Sequence, residues 1–195
     1  MTSLHFSLKS GRRTRMGTPS ARRRSMLTQM IGDGIPVRWS TVSIGWYGPA
    51  KYGPQLSTAD IASYAARVIE ANPEQPPCVL RLAAAQADDS EMVETCLREL
   101  AAHEGADQSI ELRKWRLYLL REIERELSDD PLYGLLGLTE FWEMFHYPDD
   151  SPHVIQGKEN HQHPGDYYIQ ENFRQLRNRH REWMKEEEAF LRHQK

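Results

Sequence analysis

Apolar residues recur at helical spacing over most of the chain. Ile61, Tyr64, Ala65, Val68 and Ile69 fall at i, i+3, i+4, i+7 and i+8, the stripe of an amphipathic helix. Ser57 or Thr58 offers the N-cap oxygen, Asp60 sits three after Ser57 as in a capping box, and Asn72-Pro73 stops the helix. A second, mostly apolar helix starts near Pro77 with "CVLRLAAAQA". A third follows "DDS", with Met92, Val93, Cys96, Leu97 and Leu100 inward and Gly105 as its C′ residue. Leu112, Trp115, Leu119, Ile123 and Leu127 mark a fourth after Ser109, and "REIERE" alternates charge on its outer face.

The fifth helix opens at Asp130 as N-cap with Pro131 in the first helical position and runs through "YGLLGLTEFWEMFHY". Two glycines inside a helix cost about 1 kcal/mol each relative to alanine, so Gly134 and Gly137 predict close approach of another backbone. The sixth spans about 166–190, with Phe173, Leu176, His180, Trp183 and Met184 inward and "KEEEAFLRHQ" as a frayed, solvated end. Val37, Trp39, Thr41 and Ser43 alternate with Arg38, Ser40 and Val42. That period reads as a short extended segment, with a small β element near residues 36–44 as an optional addition. The fold expected is therefore mainly α, a six-helix bundle or orthogonal helical array.

Charge divides the chain. Lys9, Arg12, Arg13, Arg15, Arg22, Arg23 and Arg24 stand in the first thirty residues without one acid, so the rest must carry −10 to reach the overall −3. Residues 1–30 read as a disordered basic extension, with Met16, Met26 or Met30 as an alternative start, and residues 31–195 as one α-helical domain. A transit peptide and a nucleic-acid-binding arm are the other readings of the extension. Cys78 and Cys96 form no CxxC and suit small core positions in a reduced, cytoplasmic setting. No run approaches the roughly 18 apolar residues of a membrane helix. An acidic body repels phosphates and attracts basic proteins. No oligomeric state follows from the sequence.

Candidate chemistry gathers in "FHYPDDSPHVIQGKENHQHP", residues 145–164. Pro148 and Pro152 restrict their predecessors to extended backbone, and Asp150-Ser151-Pro152 suits an Asx or Ser/Thr turn. His153 and His180 would then tie this loop to the helices. A metal site built from His153, His161, His163 and Asp150, serving a metal-assisted hydrolase, is the alternative; HExxH and the His/Cys/Cys deaminase signature are both absent. No nucleophile-elbow, P-loop or dinucleotide fingerprint occurs, and no cofactor is expected.

The pattern from "PLYGLLGLTEFWEMFHYPDDSPHVIQG" through "DYY" to "HREWMKEE" resembles an uncharacterised bacterial family associated with immunity genes of polymorphic toxins. The resemblance rests on Phe141, Trp142, Tyr147, Pro148, Asp150, Ser151, Pro152, His153, Gln156, Gly157, Tyr167, Tyr168, His180 and Trp183, and covers roughly residues 37–190. It departs at Gly137, where it implies glutamate. What it implies is a helical protein-binding module, an immunity protein facing a basic toxin. On this reading the contact residues are Trp142, Tyr147, Asp149, Asp150, His153, Gln156, Tyr167 and Tyr168, and Asp88, Asp89, Glu91, Glu186, Glu187 and Glu188 are further exposed carboxylates. Nucleic acid enters only as a ligand of the arginine-rich extension.

Overall fold

The computed structural model describes residues 25–158 and 163–194. In chain order its helices are α1 Met26–Gly32, α2 Trp39–Tyr47, α3 Thr58–Ala71, α4 Pro77–Ala83, α5 Ser90–Glu104, α6 Gln108–Glu126, α7 Pro131–Met144, α8 Pro164–Tyr167 and α9 Gln170–Arg192. No strand occurs among the described residues, and the fold is the mainly α array expected.

Helix α6 is the axis. Every residue from Trp115 to Leu120 is buried, and a helix buried all round needs neighbours on all sides. Helices α1, α2, α7 and α9 all pack on it, while α5 joins α2 to α4 and α3 packs on α4. The charges α6 carries inward are paired. Lys114 Nζ donates to both oxygens of Glu111, at 2.8 and 2.6 Å, and the Thr41 hydroxyl donates to the same carboxylate.

Local signals placed several ends correctly. Ser57 Oγ accepts from the Asp60 N–H at 3.2 Å while the Asp60 carboxylate accepts from the Ser57 N–H at 2.9 Å. Gly105 takes a left-handed φ of 57° after α5. Asp130 caps α7 through the N–H groups of Leu132 and Tyr133.

Four expectations change. Residues 39–47, which include most of the proposed β element, are helix α2. Trp39, Ser40, Thr41, Val42 and Gly45 are all buried, so the segment shows no polar face and its helical period is hidden. Its cap is also remote: the Glu104 carboxylate accepts from the N–H groups of Trp39 and Ser40, at 2.7 and 2.8 Å. The described part of the expected extension is ordered, since α1 starts at Met26 and buries Leu27 and Met30; residues 1–24 lie outside the described residues. The sixth helix is two, α8 and α9, because His163 caps a single turn before the chain re-enters helix at Gln170. The end of α9 is not frayed. Leu191 is fully buried, and Glu187, expected as an exposed carboxylate, is 4% exposed.

Candidate partner-binding site

Helix α7 has two working faces. Leu135, Thr139 and Trp142 recur at steps of four and three on one side; Tyr133, Gly137, Glu140 and Met144 do so on the opposite side. The first face holds the histidine loop. The second faces α6 across a hollow.

The loop begins where α7 ends. The N–H groups of Phe145 and Tyr147 both reach Trp142 O, at 3.1 and 2.9 Å. His146 and Tyr147 take φ values of 59° and 46°, a left-handed pair that non-glycine residues seldom adopt. The Tyr147 hydroxyl holds the turn by donating to Thr139 O at 3.2 Å. Ser151 N–H closes on Pro148 O at 2.9 Å, and Ser151 Oγ accepts from the His153 N–H at 3.2 Å, the serine turn expected. His153 then enters the interior. Thr139 donates its hydroxyl to Leu135 O at 2.9 Å and lies 2.8 Å from His153 Nε2, which assigns the ring proton to Nε2. The His153 ring lies 5.5 Å from that of His180. Trp142 Nε1 donates to His180 Nε2 at 2.8 Å, and His180 Nδ1 donates to Leu176 O at 2.7 Å.

Both imidazoles are therefore neutral struts. Burial, with His180 beside it, pushes His153 down to about 3, and burial lowers His180 as well. Neither ring is poised to exchange protons near neutral pH. His153 Nδ1 is buried and accepts no hydrogen bond among the described residues.

Asp150, between Tyr147 and His153, ties this part of the loop down by pairing with Arg116. The Arg116 guanidinium lies over Trp183 and Trp142, 5.1 and 5.7 Å from their ring centroids. Beside it Arg113 grips Glu187 with two donors, Nε at 2.8 Å and Nη2 at 2.5 Å, and covers the Phe190 ring at 4.1 Å. That bidentate pair is what buries Glu187. The Tyr167 hydroxyl fastens the loop once more through Val154 O at 2.6 Å.

The residues expected to contact a partner thus divide. Trp142, His153 and Tyr167 are buried and brace the loop from within. Asp150 is half-exposed but committed to Arg116. Asp149 is exposed, and Tyr147, Gln156 and Tyr168 are half-buried. Tyr147, Asp149, Ser151, His153 and Lys158 line a polar hollow of about 420 Å³. Of the alternative metal set, His153 and Asp150 are engaged as above, and His163 Nδ1 accepts from the Gly165 N–H at 3.0 Å. His161 lies outside the described residues, and no group of three potential ligands converges among those described. No helix among them is long and apolar enough to cross a membrane.

The opposite face of α7 has no counterpart in the sequence reading. Ile123 of α6 and Leu127 just after it, with Gly137 and Met144 of α7, floor a groove of about 630 Å³. Tyr52, Phe141 and Tyr133 wall it, and Glu126, Glu140 and Glu143 stand around it. The Tyr52 hydroxyl is pushed up to about 12 by burial and by Glu140. Gly137 lines the groove without a side chain of its own. A Cβ there would meet only the tip of Leu127, at 3.2 Å. Gly134 does show the close approach that both glycines predicted: a Cβ there would lie 2.4 Å from the Phe173 ring and 2.8 Å from Ser128 O. One signal was available for the groove. Tyr133 is an aromatic that the inner stripe of α7 does not need, and it is exposed.

No curated protein and no solved structure gives a significant match to the chain. The family model described as "uncharacterized protein conserved in bacteria (DUF2247)" matches residues 27–188, from the first turn of α1 to the last turns of α9, so the chain belongs to this bacterial family.

Proposed function

We propose that the protein is a binding module for a basic protein and, more finely, an immunity protein that neutralises a cognate toxin. The observation that carries this reading is how charge is paired. Arg113, Arg116, Arg121, Arg177, Arg181 and Arg192 lie on carboxylates of the fold itself. Their positive charge is neutralised inside the molecule. Glu140, Glu143 and Asp149 are exposed along α7 and the turn after it, and no cation pairs with them among the described residues. They give this edge a negative field that no ion pair among the described residues cancels, and such a field steers a basic partner. The sequence resemblance to immunity-associated proteins supports the finer reading.

The test is kinetic. The expected partner is a basic protein encoded beside this gene and toxic when expressed alone. Co-expression should relieve the toxicity. Association should slow with added salt, and the Glu140→Gln/Glu143→Gln/Asp149→Asn variant should slow it by about tenfold at low salt while dissociation changes little. An on-rate indifferent to both salt and the triple variant would contradict the reading.

A further inference from the structure

We infer that the groove between α6 and α7 docks a short partner segment in which an aromatic or large aliphatic side chain is flanked by lysine or arginine. This inference rests on the proposed function and gives the recognition a place and a chemistry.

Three features select that occupant. The floor is apolar: Ile123, Leu127 and Met144 line it, and Gly137 adds no side chain of its own, a Cβ there reaching only the tip of Leu127 at 3.2 Å. At about 630 Å³ the space falls within the range of sites that enclose a ligand group, roughly 300–1,000 Å³. The wall is unusually exposed for its chemistry. Tyr133 is 66% exposed. Apolar surface left in water gains about 25 cal/mol per Å² when a partner covers it. Aromatic anchors seated in such pockets dominate interface energetics.

The third feature is charge. No lysine or arginine lines the groove, while Glu126, Glu140 and Glu143 do. Glu140 and Glu143 enter no ion pair among the described residues. An apolar anchor entering here brings its chain neighbours beside carboxylates, so cations on either side of the anchor are attracted and acids or phosphates are repelled. Charge and cavity together specify a basic segment with an apolar centre, and exclude an acidic peptide or a nucleic-acid strand as the occupant.

The experiment uses the full chain and short fluorescein-labelled peptides carrying a central Trp-Leu pair between Arg and Lys residues. Fluorescence anisotropy should give saturable binding that weakens at least about tenfold when the Trp-Leu pair is replaced by Gly-Gly, and again when the basic residues become Gln. Gly137→Leu, which fills the floor, should weaken binding by at least about tenfold with Tm unchanged or higher. Tyr133→Ala removes an exposed wall residue without disturbing the core and should also weaken binding. Absence of binding, equal binding of the Gly-Gly peptide, or wild-type affinity in both variants would overturn the groove assignment. The underlying function fails separately. If the basic partner protein associates in a salt-dependent way but dissociates from Gly137→Leu and Tyr133→Ala as from wild type, the groove is wrong and the module reading stands. If its on-rate ignores salt and the carboxylates, the module reading falls.

Discussion

The two faces of α7 differ in an instructive way. One carries the residues that look most like chemistry, His153, the Asp149-Asp150 pair, and the tryptophan and histidine partners behind them. These groups turn inward and hold one another: Trp142 donates to His180, His153 to Thr139, and Arg116 pairs with Asp150. The other face carries a glycine, a tyrosine and two glutamates, none of which forms a motif, and it is the face left open toward α6. A polar side chain that reaches a buried partner stabilises the fold; a polar side chain beside uncovered apolar surface is available to something else.

This contrast is broken most severely at Trp142. Trp142→Ala removes a fully buried indole and leaves the His180 acceptor without its donor. We expect a loss of about 4 kcal/mol in urea-monitored stability. A loss below about 1 kcal/mol would mean that the loop face is not a brace. The peptide affinity of whatever fraction remains folded should be unchanged, because the groove lies on the other side of the helix.

Acid should loosen the same face. His153 has a folded value of about 3 against 6.5 for a free imidazole. Between those values the unfolded chain binds a proton that the folded chain does not, so stability is complete above pH 6.5 and is lost as pH falls toward 3. The loss from this group approaches about 1.4 kcal/mol per pH unit, and His180 adds in the same direction. His153→Gln, which keeps a donor for Thr139 and does not titrate, should be less stable at pH 7.5 and fall less steeply on acidification. Parallel stability curves for variant and wild type would contradict this.

The two glycines sharpen the comparison at a smaller scale. Gly134→Ala drives a methyl into Phe173 and the Ser128 carbonyl, and should destabilise by about 2 kcal/mol. Gly137→Ala meets only the mobile end of Leu127, and the helix-propensity gain should leave stability unchanged or up by at most about 1 kcal/mol. Equal losses at both positions would close the groove as a feature of the molecule.

How far the sequence could be read follows the range of the interactions. Helices α3, α5 and α7 were legible from neighbours in the chain: Ser57 with Asp60, Gly105 after a clean stripe, Asp130 before Pro131. The serine turn was legible for the same reason, but the inward course of His153 was not, because it depends on Thr139 and His180 brought against it from other parts of the chain. Helix α2 was not, because its cap is Glu104, far along the chain, and its burial on several sides erases the helical period. Glu187 reads as surface within "KEEE" until Arg113 is brought against it. The groove needs α6 and α7 side by side, and no local pattern states that adjacency.

Hydrogen exchange of the full chain, with and without the basic Trp-Leu peptide, tests the division of α7 most directly. New protection should appear over residues 133–144 and the facing end of α6, with residues 147–158 unchanged. Protection confined to residues 147–158, or none anywhere at a saturating peptide concentration, would contradict the assignment of bracing to one face and recognition to the other.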